Sequence, residues 1–205
     1  MNRPRRPDTA RAPARPTSSA SGKVRLIGGR WRGSRLDVPN ADGLRPTSDR
    51  VRETLFNWLM PALPGARVLD LFAGSGALGF EAVSRGAGHA VLVERDATLA
   101  SALRAAATRL GAGASIDVVH ADALAWLSRA EAARFDIAFV DPPFAVGLWD
   151  AALAAVSPAL AADAWLYVEA SNNAAWAVPA GWRVHREGAT REVRYVLLRR
   201  VDECA

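Results

Sequence analysis

Four consecutive residues, Asp141, Pro142, Pro143 and Phe144, carry the most specific chemistry in the chain. Two successive prolines fix the backbone and remove two N–H donors, which leaves carbonyl oxygens to face a ligand. Asp141 adds a carboxylate acceptor, and Phe144 adds a flat apolar face. A planar aromatic amine matches this set: its two hydrogens point at Asp141 and the Pro142 carbonyl while its ring lies on Phe144. The bland alternative is a rigid loop without a ligand. With an amine held there, the nitrogen lone pair can be turned toward an electrophilic carbon, and catalysis is then mostly positioning and electrostatics.

A second constellation begins at Asp70 and runs through Phe72, Gly74, Gly76 and Gly79 in the stretch DLFAGSGALG. Glycines at this spacing, between a strand and a helix, let a backbone turn approach a ligand closely. Asp70 can either hold the loop or meet a cationic group such as the amino end of a methionine. Glu94, with Arg95 beside it, ends the next apolar run about twenty residues later, where a carboxylate can accept both hydroxyls of an adenosine ribose. Asp122 and Ala123 follow a third run. Asp122 can bind an adenine amino group while the Ala123 N–H meets a ring nitrogen, or it can simply cap the helix behind it. Glycines and acid fit a nicotinamide dinucleotide as well as S-adenosylmethionine. The Asp-Pro-Pro-Phe tetrad decides for the latter, with transfer of its sulfonium methyl to an exocyclic amine and S-adenosylhomocysteine as product.

These residues need a scaffold, and the pattern supplies one. From residue 66 onward, apolar runs (RVLDLF, AVLVER, SIDVVH, FDIAFV, AWLYVEA) alternate with helical stretches, as in a parallel sheet covered on both faces. The last two runs, WRVHREGA and REVRYVLLRR, are too close for a crossover helix and are expected as antiparallel partners at one edge. Before the sheet, DRVRETLFNWLMPAL predicts a helix from Asp49, capped by Thr47 or Ser48. Its apolar face holds Val51, Leu55, Trp58 and Leu59, and its polar face holds Asp49, Arg52, Glu53 and Asn57. Residues 24–39 predict a β-ribbon bent at Gly28 and Gly29, and residues 1–21, rich in Pro, Arg, Ala and Ser, predict a mobile tail. The division is thus a basic tail over 1–21, a hairpin extension over 22–45 and a catalytic domain over 46–205.

Charge separates along the same lines. Residues 1–59 hold 13 Lys and Arg against 5 Asp and Glu, a balance of +8, although the whole chain carries only +5. A polyanion would meet that front segment first. Arg30, Arg32, Arg35, Arg45, Arg50 and Arg52 are candidates for phosphate contacts, with Thr47 and Asn57 as polar neighbours. Trp31 beside the bend can stack on a base or pack on the main domain. Cys204 is the only cysteine, which excludes an internal disulfide, and the scattered His89, His120 and His185 offer no metal-ligand spacing. No apolar run is long enough for a membrane span and the start lacks a signal-peptide pattern, so a cytoplasmic protein is expected.

The stretches RLIGGRWRG, LRPTSDRVRETLFNWL, DLFAGSGALGFEA, VERD and FVDPPF, with the closing edge strands, resemble the bacterial 16S ribosomal RNA guanine N2-methyltransferase family, which modifies guanine 966. The resemblance covers residues 24 to about 200. It implies a seven-stranded Rossmann-like α/β sheet with one reversed strand, preceded by a small β-hairpin. It also implies S-adenosylmethionine and action on an assembled or nearly assembled small ribosomal subunit, with room for contact to a neighbouring ribosomal protein; methyl transfer to an amine calls for no metal, and with no coiled-coil or other assembly signature a monomer is expected. Carried onto this chain, Asp70, Gly74 and Gly76 line the methionine side, Glu94 the ribose and Asp122 with Ala123 the adenine. Asp141 to Phe144 form the target-base site. Three alternatives remain open at this point: methylation of adenine or cytosine in DNA, which calls for a larger sequence-reading module; a nucleotide-dependent oxidoreductase, which leaves the tetrad unexplained; and an RNA-binding assembly factor without transfer activity.

Overall fold

The computed structural model describes residues 22–39, 46–130, 132, 134–144 and 147–201. The expected basic tail, Arg45 and Cys204 lie outside these residues. Strands β3 (Arg67–Asp70), β4 (His89–Glu94), β5 (Ile116–His120), β6 (Phe135–Val140), β7 (Leu160–Ser171), β8 (Trp182–Ala189) and β9 (Val193–Arg200) form one sheet in the order β5-β4-β3-β6-β7-β9-β8. The strands from β3 to β7 pair in parallel, whereas β9 runs antiparallel to both of its neighbours, β7 and β8. The single reversed strand follows from the short link between β8 and β9. A turn of three residues permits only a hairpin, so β9 inserts between β7 and β8 instead of crossing over.

The near-continuous apolar runs are explained by cover on both faces. Helices α1 (Asp49–Leu59), α2 (Ala77–Ser84) and α3 (Ala97–Arg109) pack on one side, where Phe56, Phe80, Leu103, Phe139 and Tyr167 share a core. Helices α4 (Ala123–Leu127) and α5 (Trp149–Val156) close the other over Leu69, Val91, Ala138 and Leu166. Ser48 caps α1, its Oγ accepting from the Val51 N–H at 3.4 Å. Val51, Leu55, Phe56 and Leu59 are buried beneath that helix. Among the described residues, no helix is long and apolar enough to cross a membrane.

The basic ribbon consists of β1 (Gly22–Arg25) and β2 (Arg35–Val38), paired antiparallel, with a short 3-10 turn at Gly29–Trp31 between them. It is joined to the main core, for Leu26 and Leu36 are fully buried. Ser84 on α2 makes one of the joints: its hydroxyl donates to the Gly28 carbonyl at 2.6 Å and accepts from the Trp31 N–H at 2.9 Å. Gly29 is in the left-handed region at φ 71°, and a Cβ there would overlap the Ser84 carbonyl. Only glycine permits that approach.

Arg52 departs from the polar outer face predicted for it. It is 0% exposed and extends under the ribbon, where it donates to the Arg25 carbonyl at 2.8 Å and to Asp49 at 2.6 Å. It also faces Glu81 of α2 at 3.4 Å. Glu81 is itself fully buried; it accepts from the Ile27 N–H at 2.9 Å and pairs with Arg85 at 2.8 Å. Helical periodicity places a side chain on a face, but it does not know that a ribbon will fold over that face.

Candidate active site

At the carboxyl ends of β3, β4, β5 and β6 the chain opens into a cleft of about 870 Å³, within the range of small-molecule sites. It lies where the strand order reverses direction from β3, the position at which open α/β sheets bind ligands. Asp70, Phe72, Gly74, Glu94, Arg95, Asp122, Ala123 and the whole tetrad from Asp141 to Phe144 line it, so residues spread over more than a third of the sequence converge on one volume.

The turn after β3 is built from its ends. Gly74 and Gly76 hold φ values of 50° and 74°, and the Gly76 N–H donates to the Ala73 carbonyl at 2.6 Å. Gly76 is absent from the cleft lining; it sets the sharp entry into α2, while Gly74 reaches the cavity. Glu94 fixes the same loop from β4. One carboxylate oxygen accepts from the Gly74 N–H and the other from the Asp96 N–H, each at 2.8 Å. Asp122 caps α4, accepting from the Ala125 N–H at 3.0 Å while lining the cleft, so the cap and the ligand roles are compatible.

Asp70 is buried, and its Oδ2 accepts from the Gly79 N–H at 2.9 Å, which ties the first turn of α2 to β3. Burial raises its pKa to about 7, helped by the nearby Glu94 charge and opposed by the Gly79 hydrogen bond. Asp70 therefore holds more protons in the folded chain than in the unfolded one between pH about 4 and 7. Its contribution to stability is full below that window and is lost as pH rises through 7. Asp70→Asn removes this loss and keeps an acceptor for Gly79. The stability of the variant relative to the wild type is expected to climb from pH 4 to pH 7, by roughly 2 to 4 kcal/mol. Thermal melts across that range check this; a difference that stays constant with pH would contradict it.

The tetrad follows β6. Phe144 packs on Trp149 of α5, their ring centroids 6.0 Å apart, and leaves its other side toward the cleft. Asp141 accepts a hydrogen bond from the Thr47 hydroxyl. Thr47 is buried just ahead of α1, and among the described residues it is the one member of the front segment's candidate set that the structure brings to the cleft. Arg30, Arg32, Arg35, Arg50 and Asn57 are exposed and away from the cavity lining. Trp31 takes the packing alternative. It is 9% exposed, its ring 6.1 Å from that of Phe80 and covered by the Arg30 guanidinium at 4.3 Å, so it presents no face for stacking on a base.

The donor set fits the cofactor: a glycine turn with a backbone that approaches closely, a carboxylate at the end of β4 for a diol, and an acid with an adjacent N–H at the head of α4. Among the described residues, no three His, Cys, Asp or Glu side chains group as metal ligands. The family model described as "Conserved hypothetical protein 95" matches residues 24–199. The Ribosomal RNA small subunit methyltransferase D of Escherichia coli K12 is 46% identical over 189 residues, which cover 91% of this chain and 94% of that protein. This chain belongs to the small-subunit ribosomal RNA methyltransferase D family. The Haemophilus influenzae protein of the same name is 40% identical over 185 residues, 88% of this chain and 96% of that one. Two solved structures are similar. The Escherichia coli yhhF protein, described as a methyltransferase, has a TM-score of 0.79 at 45% identity and covers 87% of this chain and 98% of its own. A Haemophilus influenzae methylase has a TM-score of 0.76 at 36% identity and covers 88% and 100%. The protein is thus a methyltransferase that uses S-adenosylmethionine.

The sequence reading passed over Glu81, Ser84, Tyr167 and Glu169. Glu81 had a signal, an acid in the otherwise apolar run ALGFEAV. Glu169 had another, since it ends its apolar run as Asp70, Glu94 and Asp141 end or follow theirs.

Proposed function

We propose that the protein transfers one methyl group from S-adenosylmethionine to the exocyclic N2 of guanine 966 of 16S rRNA in the small ribosomal subunit. The observation that carries this reading is the meeting, in one cleft, of the Gly74 turn and Glu94 with the Asp141-Pro142-Pro143-Phe144 wall. In this reading Asp70 and Gly74 border the methionine part, with Phe72 and Arg95 flanking the nucleoside. Glu94 holds the ribose, and Asp122 with Ala123 the adenine. When bound, the cofactor supplies an electrophilic methyl carbon on a sulfonium sulfur. The chain's own residues do the rest. Asp141 and the Pro142 carbonyl accept the two amine hydrogens, Pro143 stiffens the turn, and Phe144 carries the ring. The Thr47 hydroxyl orients Asp141. This is catalysis by placement, with the amine fixed on line with the methyl carbon. In a strain whose own guanine 966 is unmethylated, expression of this chain is expected to add N2-methylguanosine at that position in rRNA digests. A methyl on any other base atom would contradict the assignment.

The substrate is an assembled or nearly assembled subunit, engaged by the chain as a monomer in the cytoplasm. The hairpin extension makes the first contact with the polyanion through its exposed Arg30, Arg32 and Arg35. Each phosphate contact releases condensed counterions. Replacing the three together with Ala is expected to make the slope of log affinity against log salt shallower by about 2 for rRNA binding, with little change in cofactor affinity. An unchanged slope would remove the hairpin from the interface.

A further inference from the structure

On the reading of the substrate as ribosomal RNA, we propose that the outer edge of the sheet is a second RNA contact: Arg183, Arg186 and Arg199, gathered on one side of β8 and β9, bind rRNA phosphates away from the target guanine. Register brings the three together. Arg183 stands directly opposite Arg199 across the β8–β9 pair, and Arg199 stands opposite Trp165 across β9 and β7. A register shift between Val184 and Arg186 then sets Arg186 opposite Leu197. Leu197 belongs to the core beneath α1 and Trp165 packs against it, so all three arginines lie on the α1 side of the sheet. Arg183, His185 and Arg186 are exposed. The Trp165 ring is the centre of the group: the Arg199 guanidinium lies over it at 4.5 Å, and the His185 ring meets it edge-on at 4.9 Å.

The arrangement works against the fold. Like charges directly opposite each other across a strand pair are destabilising, and among the described residues no acid forms an ion pair with Arg183, Arg186 or Arg199. The acid on β8, Glu187, stands opposite Val196 on the other side of the sheet, where it pairs with Arg194 at 3.1 Å. His185 feels the same field: desolvation first, then the charges of Arg186, Arg183 and Arg199, lower its pKa, with no acid opposing them. Protection of an open sheet edge accounts for charges on β8. It does not account for a further guanidinium on β9, an inner strand, laid over a tryptophan. A polyanion supplies the missing countercharge, and guanidinium groups match phosphate oxygens with paired hydrogen bonds. The position fits as well. Arg183 lies in the same cross-strand row as Ile137 of β6, below Asp141 and toward the sheet edge, which puts the group on the order of 20 Å from the target-base site. That is beyond the target nucleotide and within reach of a neighbouring stretch of folded RNA. The ribbon shares the α1 side of the sheet, so one RNA can meet both.

The test is binding of the full chain to small ribosomal subunits across a salt series. Arg183→Gln with Arg186→Gln is expected to weaken binding by about threefold to tenfold near physiological salt, and to make the slope of log affinity against log salt shallower by about 1 to 2. Its melting temperature is expected to hold or rise, since the change relieves repulsion. Arg129→Gln with Arg134→Gln removes the same charge from exposed positions between α4 and β6, and is expected to leave affinity and slope nearly unchanged. Arg183→Lys with Arg186→Lys keeps the charge and is expected to retain most of the slope; it carries the test if the glutamine variant aggregates. An unchanged slope in the glutamine variant would overturn the proposal and leave edge protection as the role of these arginines. An equal change in the Arg129 and Arg134 variant would overturn it too, tracing the effect to net charge. Binding needs no turnover, so the slope decides this proposal even where no methylated product forms, and a missing product from the wild-type protein fails the transfer reading alone.

Discussion

Asp141→Ala is expected to lower the rate of methyl transfer by about 10²- to 10³-fold, the usual loss when one positioned electrostatic contact to the reacting group is removed. Cofactor affinity, read by calorimetry, is expected to stay within about threefold, because Gly74, Glu94 and Asp122 are untouched. Stability should move the other way. Asp141 stands among the acids Glu169 and Asp70, so its removal relieves repulsion and the melting temperature at pH 8 is expected to rise. Loss of rate with gain of stability separates a functional acid from a structural one. Phe144→Ala is expected to act on substrate binding instead, costing about 1 to 3 kcal/mol of stacking. A fully active Asp141→Ala beside an inactive Phe144→Ala would mean that stacking, rather than the amine hydrogen bond, dominates.

Arg52→Ala is expected to have the largest effect on the fold, a loss of about 3 to 5 kcal/mol in denaturant unfolding. Its guanidinium is wholly buried and joins three elements: Asp49 on its own helix, Glu81 of α2 and the Arg25 carbonyl of the ribbon. Removal leaves Glu81 buried with Arg85 and the Ile27 N–H but without its second cation. Since a domain of this size has only about 5 to 15 kcal/mol in hand, the variant should sit near the threshold of folding. The ribbon should loosen first, seen as early hydrogen exchange at Leu26 and Leu36. Replacing Arg52 and Glu81 together by apolar residues should recover part of the loss, since neither charge is then stranded. A change below about 1 kcal/mol, with a shallower salt dependence of RNA binding, would return Arg52 to the RNA-contacting role the sequence predicts for it.

What the sequence disclosed depended on whether local pattern or tertiary neighbours decide the outcome. Strands β3 to β6 were legible because a parallel sheet buried on both faces demands unbroken apolar runs, and the β8–β9 edge because a short link excludes a crossover. Glu94, Asp122 and the tetrad were legible because each closes a strand at the carboxyl edge, where open α/β sheets bind ligands. Arg52 was not, and Trp31 only as one of two open alternatives, since a charged residue on a helix and an aromatic at a bend look solvent-facing until another element covers them. Over Arg52 that element is the ribbon and over Trp31 it is α2, the two joined through Ser84 and Glu81 of α2 by contacts more than fifty residues apart in the chain. Thr47 was named for the substrate, but its hydrogen bond to Asp141 belongs to tertiary structure alone.

The proposed activity is tested most directly by transfer of a labelled methyl group from S-adenosylmethionine to small ribosomal subunits that lack native base methylation, with naked 16S rRNA and duplex DNA in parallel and the labelled nucleoside identified. N2-methylguanosine, formed on the subunit in preference to the other two substrates and lost with Asp141→Ala, is the expected result. Label in DNA, or tight RNA binding with no methylated product at all, would contradict it.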